Sequence, residues 1–103
     1  MKKDVKSITL NGKNYPAAEF DYNNVATMEE MGVDLFSGNV KQMSLVRAYV
    51  AICMNSSKEE AGSEIEKHLI AGGTFDEINE AIAVKGENSG FFRALKETAE
   101  KKA

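Results

Sequence analysis

The run from Leu45 to Met54 constrains the fold more than any other stretch of this chain. Read as a helix, it carries an apolar side chain in almost every direction around its axis. A helix apolar all round is a buried one. The run is too long for a typical strand, although Val46, Val50 and Ile52 lower its helix propensity slightly. It is about half a membrane span and contains Arg47, so it does not read as a transmembrane segment. The surrounding pattern extends this helix over 40–54. A chain of 103 residues is one domain and buries roughly 65% of its unfolded surface, enough for one modest core around such a helix.

Ahead of it, Ser7-Ile8-Thr9-Leu10 alternates polar and apolar residues as a half-buried strand does. Asn11-Gly12 is a two-residue hairpin signal, because a type I′ turn needs φ > 0 at both central positions. The hairpin is expected over about 6–19. Pro16 cannot donate to a ladder, so the return strand is an edge or ends early. A lone hairpin is marginal in water and has to lie on the helices.

Local signals punctuate those helices. Asp21 is placed to cap a helix over 21–31, with Phe20 and Val25 as a staple and Gly32 as the stop. Ser57 to Glu60 is a capping box opening a helix over 57–71, with Ala61, Ile65 and Leu69 on one face and Gly72-Gly73 at its end. Thr74 to Glu77 is a second such box, opening a helix over 74–85 with Phe75, Ile78 and Ile82 as its stripe. Ser89 is placed to cap a last helix over 90–100, which is expected to fray from Lys96 onward. The fold class is therefore α+β, mainly α: an N-terminal β-hairpin packed on a bundle of four to five helices.

The residues with reactive chemistry are few and scattered. Cys53 is the single cysteine, so no internal disulfide is available and a reducing compartment fits. In so apolar a helix it reads as a small buried thiol. His68 is the single histidine, without neighbours to complete a metal site, and reads as half-exposed and structural. Adjacent acids such as Glu29-Glu30 and Glu59-Glu60 point about 100° apart on a helix and do not converge. No phosphate-binding loop is present. Neither a catalytic constellation nor a cofactor is expected. The formal net charge of -3 argues against nucleic acid and anionic membranes. The third and fourth helices have the outline of a helix-turn-helix, but Asp76, Glu77 and Glu80 lie on the helix that would enter the groove. MKKDVKS lacks an apolar segment after it and is not a secretory signal. A cytoplasmic protein is expected.

On the first helix Tyr22, Val25, Met28 and Met31 step by three, so the stripe drifts around the axis, and Glu29 falls within it. Val25 and Met28 are expected in the core, with Tyr22 and Met31 partly exposed. Such a strip suits contact with another chain, since Met adapts to its partners and Tyr anchors. The candidate protein-binding residues are Tyr22, Met28, Met31, Leu35 and Phe36, with Phe91 and Phe92 second.

The run ITLNGKNYPAAEFDYNNVATMEEMGVDLF, followed by KQMSLVRAYVAICM and by SGFFRAL near the end, resembles the tail assembly chaperones of long-tailed phages and prophages. Those proteins open on a short strand pair, then a phrase of the form F-D-aromatic-N that begins a helix. The likeness covers most of the chain and takes its specificity from the order of short motifs. SKEEAGSEIEKHLI matches no family signature, and Ala17, Ala18 and Asn24 stand where larger apolar residues are usual.

The resemblance implies a non-enzymatic protein. It would bind the phage tape measure protein, keep it soluble and help recruit tail tube subunits. Docking of a helix in a groove is the expected mode, with self-association through the Pro16 edge strand as an additional contact. Alternative readings are another phage structural or connector protein, or a small DNA-binding regulator. Several such chaperones have a longer form made by ribosomal frameshifting, and Lys101-Lys102 suggests an A-rich slippery stretch. A gene sequence without a slippery heptamer or an overlapping frame there overturns that expectation.

Overall fold

The structure is a computed structural model that describes residues 4–102. Met1, Lys2 and Lys3 of the opening run and Ala103 of the EKKA ending lie outside them. In chain order the elements are β1 (Ser7–Leu10), β2 (Lys13–Pro16), α1 (Tyr22–Glu30), α2 (Gln42–Met54), α3 (Lys58–Ile70), α4 (Asp76–Glu87) and α5 (Gly90–Lys102). This is the expected α+β, mainly α class: an antiparallel hairpin and, among the described residues, five helices.

The hairpin turns at Asn11 (φ 53°) and Gly12 (φ 82°), the two positive values a type I′ turn requires. Ile8 and Leu10 are fully buried while Ser7 and Thr9 are exposed, so the alternation sets the face. Ser7 pairs with Pro16 and Ile8 with Tyr15, and Ala17 N–H donates to the Lys6 carbonyl at 3.0 Å. Antiparallel pairs alternate between bonded and non-bonded, which puts Pro16 in a non-bonded pair. Its missing N–H would point away from β1, so proline costs the ladder nothing.

The outer edge of β1 is closed by helices. Thr9 N–H donates to the Glu77 carboxylate of α4 at 2.6 Å. The Asn11 side chain donates to Glu64 of α3 at both its carbonyl (3.1 Å) and its carboxylate (2.7 Å). These contacts correct the second capping box. Thr74 Oγ1 accepts from Asp76 N–H and Glu77 is turned to the strand, so α4 begins at Asp76 rather than Thr74. Its buried face is Ile78, Ala81, Val84 and Lys85, rotated from the expected Phe75–Ile78–Ile82 stripe, with Phe75 and Ile82 only half-buried.

α2 is the buried centre, with Val46, Ala48, Tyr49, Val50, Ala51 and Cys53 all buried. It packs against α1, α3, α4 and β2. It begins at Gln42 rather than at residue 40, behind Lys41, which makes no side-chain cap. The other punctuation is as expected. Asp21 accepts from Asn24 N–H at 2.8 Å. Gly32 takes φ 94°, with Gly32 N–H bonded to the Glu29 carbonyl and Val33 N–H to the Met28 carbonyl. That pair is a Schellman stop, and it folds Val33 into the core. Ser57 caps α3 by accepting from Glu60 N–H, and α3 buries Ala61 and Ile65. His68 is half-buried, as expected, and its Nε2 lies 2.9 Å from the Thr74 carbonyl. A side chain on Gly73 would overlap the His68 ring at 2.3 Å, which explains the second glycine of the pair. Helix α5 continues to Lys102, beyond the expected end at residue 100.

A surface cleft lined with aromatic rings

Three segments bring aromatic rings together. The first is the entry to α1, where Phe20 is buried and Tyr22 is 69% exposed. The second is the loop after Val33. There the Asp34 carboxylate accepts from Phe36 N–H at 2.9 Å, and Ser37 Oγ donates to the Asp34 carbonyl at 3.0 Å. These short-range bonds hold a tight turn that presents Phe36, 57% exposed. The third is the start of α5, where Phe91 and Phe92 are half-buried.

Ser89 fixes α5 to this site. Its hydroxyl donates to the Phe20 carbonyl at 2.6 Å and accepts from Phe92 N–H at 3.0 Å. One buried oxygen therefore caps α5 and ties it to the α1 entry, sixty-nine residues away. Ser89→Ala removes both bonds and leaves a buried carbonyl unpaired. It is expected to lower stability by about 2 kcal/mol, measured as a shift in the urea midpoint. A change under about 0.5 kcal/mol would show that the two bonds do not hold α5.

The rings form a continuous series. Tyr22 meets Phe91 edge-on at 5.7 Å, Phe91 lies 5.9 Å from Phe92, and Phe92 meets Phe36 edge-on at 6.0 Å. Phe92 stacks on Phe20 at 5.4 Å, and Phe20 stacks on Tyr49 of α2 at 5.5 Å. Contacts of this geometry add about 0.5–1.5 kcal/mol each beyond area burial. Exposed rings at the surface are thus joined through Phe92 and Phe20 to Tyr49 in the core.

Two clefts adjoin this series and share Phe36. One, about 380 Å³, lies between α1 and α5 and is walled by Tyr22, Val25, Ala26, Phe36, Phe91 and Leu95, with Glu29 at its side. The other, about 320 Å³, is walled mainly by Phe20, Leu35, Phe36, Leu45, Ile82 and Phe92. A third cleft, about 620 Å³, is edged by Asp4, Glu77 and Glu80. Two of its acids are engaged with the fold, Asp4 with Lys85 and Glu77 with Thr9.

Of the seven sequence candidates, Tyr22, Leu35, Phe36, Phe91 and Phe92 line these two clefts. Met31 is half-buried against the core and lines neither. Met28 is 1% exposed, which corrects its place among the contact residues. The i−3 spacing from Met31 turns it inward beside Val25, as the helical wheel requires. Leu95, 41% exposed on α5, belongs to the surface and was not among the candidates. Its i+4 spacing from Phe91 was the available signal.

No group of three or more His, Cys, Asp or Glu side chains able to hold a metal occurs among the described residues. No described helix is long and apolar enough to cross a membrane. The chain matches no protein-family model, no curated protein and no solved structure.

Proposed function

We propose that this chain is a non-enzymatic tail assembly chaperone of a long-tailed phage or prophage. Acting in the cytoplasm of the host bacterium, it binds the tape measure protein, keeps it soluble and helps recruit tail tube subunits. The observation that carries the reading is the apolar cleft at Tyr22, Phe36 and Phe91, open at the surface and backed by a stacked aromatic series. A long apolar helical client needs a surface of this kind, into which one face of a helix is laid. Many weak copies along one client gain from effective concentration.

The test is co-expression with a candidate tape measure protein. The two are expected to co-purify, and the client's soluble yield is expected to rise. Phe36→Asp places a charge where an anchor ring stood and is expected to weaken the complex about tenfold. Phe36 is mostly exposed, so the variant should keep its helical circular dichroism. Neither co-purification nor a gain in soluble client would overturn the reading. A gel shift on duplex DNA at low salt is expected to show no complex, since the exposed face of α4 carries Asp76, Glu77 and Glu80.

A further inference from the structure

Glu29 is the one acid among the residues lining the cleft between α1 and α5, whose walls are otherwise rings and aliphatic groups. Its side chain is exposed and makes no ion pair with any described residue. In the free protein, water solvates it. A helix laid into the cleft would strip that water. Desolvating a carboxylate without a counter-charge is costly, and the cost falls when a cation replaces the water.

We infer that Glu29 selects the cleft's occupant: an amphipathic helix whose apolar stripe is bordered by a lysine or arginine. The inference rests on the cleft being the docking surface proposed above. The rings supply the attraction common to any apolar helix. The carboxylate supplies the discrimination, because a wholly apolar or acid-bordered helix would leave it buried and unpaired. The same residue that breaks the apolar stripe of α1 in sequence is therefore a recognition element.

The test uses the full chain and two synthetic helical peptides with the same leucine-alanine stripe, one bordered by lysine and one by glutamate. Titration followed by fluorescence anisotropy is expected to show the lysine peptide binding about fivefold tighter at low salt, with the gap closing at about 0.5 M salt. Glu29→Gln is expected to abolish the preference and Glu29→Lys to reverse it, with helical content unchanged. Equal binding of the two peptides, binding of neither, or a preference that survives Glu29→Gln would each overturn the inference. Capture of the tape measure protein by the unaltered chain is scored separately. Its failure removes the chaperone reading, whereas a lost peptide preference with capture intact removes only the role of Glu29.

Discussion

Tyr49→Ala is expected to cost about 3–5 kcal/mol, the range for truncating a buried ring. Against a total stability of about 5–15 kcal/mol for a domain, that loss leaves much of the population unfolded on warming. Tyr49 is fully buried on the central helix. Its ring stacks on Phe20 at 5.5 Å, and its hydroxyl donates to the Ala18 carbonyl at 2.8 Å. One turn along, Cys53 Sγ accepts from Ala18 N–H at 3.3 Å. Helix α2 therefore grips both polar groups of Ala18, where the chain passes from the hairpin to α1. Tyr49→Phe separates the two contributions. It keeps the ring, leaves the carbonyl without its partner, and is expected to cost about 1–2 kcal/mol. Urea midpoints of the three proteins measure this. A Tyr49→Ala protein within 1 kcal/mol of the unaltered chain would mean that the ring is not the keystone of the aromatic series.

That prediction depends on contacts at a sequence distance, and they mark where reading the sequence stops. The type I′ turn at Asn11-Gly12, the cap at Asp21, the stop at Gly32 and the cap at Ser57 were legible because each is decided within a few residues. The burial of α2 was legible because its apolar residues surround the axis. The start and facing of α4 were not. Its local signal gave Thr74 the role of cap, but the exposed N–H of Thr9, sixty-eight residues earlier, recruits Glu77. A carboxylate that could close a capping box gains more by pairing a strand edge that would otherwise stay open. Thr9 gives no sequence signal that it needs a partner on α4.

The aromatic cleft was legible as a set of residues but not as a site. Tyr22 stood out as partly exposed on α1, Phe36 as a contact candidate after it, and Phe91 and Phe92 as the apolar start of α5. Their convergence depends on Ser89, whose hydroxyl joins α5 to Phe20. In sequence Ser89 is only a helix cap. Met28, expected in the core beside Val25, is there, and that burial removes it from the contact residues.

Lys85 gives the second large effect, and the asymmetry of its partners sets which variant suffers. The side chain is 5% exposed, with Nζ 2.7 Å from Glu19 and 3.0 Å from Asp4. The carboxylates are 61% and 53% exposed. Lys85→Met removes the buried cation and leaves two solvated acids, so its cost is expected to stay near about 1 kcal/mol. Neutralising both acids as Asp4→Asn with Glu19→Gln instead leaves an ammonium buried without a counter-charge. That variant is expected to lose about 2–3 kcal/mol at neutral pH. Burial alone would lower the Lys85 pKa, but the hydrogen bonds to Glu19 and Asp4 outweigh it and hold it above its ordinary value. A raised lysine stabilises fully below its unfolded pKa, about 10.4, and the gain is lost as pH rises through the folded value. The hydrogen bond from Lys85 holds the Asp4 carboxyl below its ordinary value. That contribution is present above about pH 4 and is lost as pH falls through the lowered value. Burial also raises Tyr49 and Cys53, adding alkaline losses of the same sign that begin near pH 8.5 with the thiol. Urea midpoints across the pH range should therefore be highest between these limits. The gap between the unaltered chain and the doubly neutralised variant should narrow as pH falls through the lowered Asp4 value and that carboxylate takes up its proton. If Lys85→Met proves the more damaging change at neutral pH, the lysine contributes through its attraction for the acids and not through the cost of leaving it unpaired.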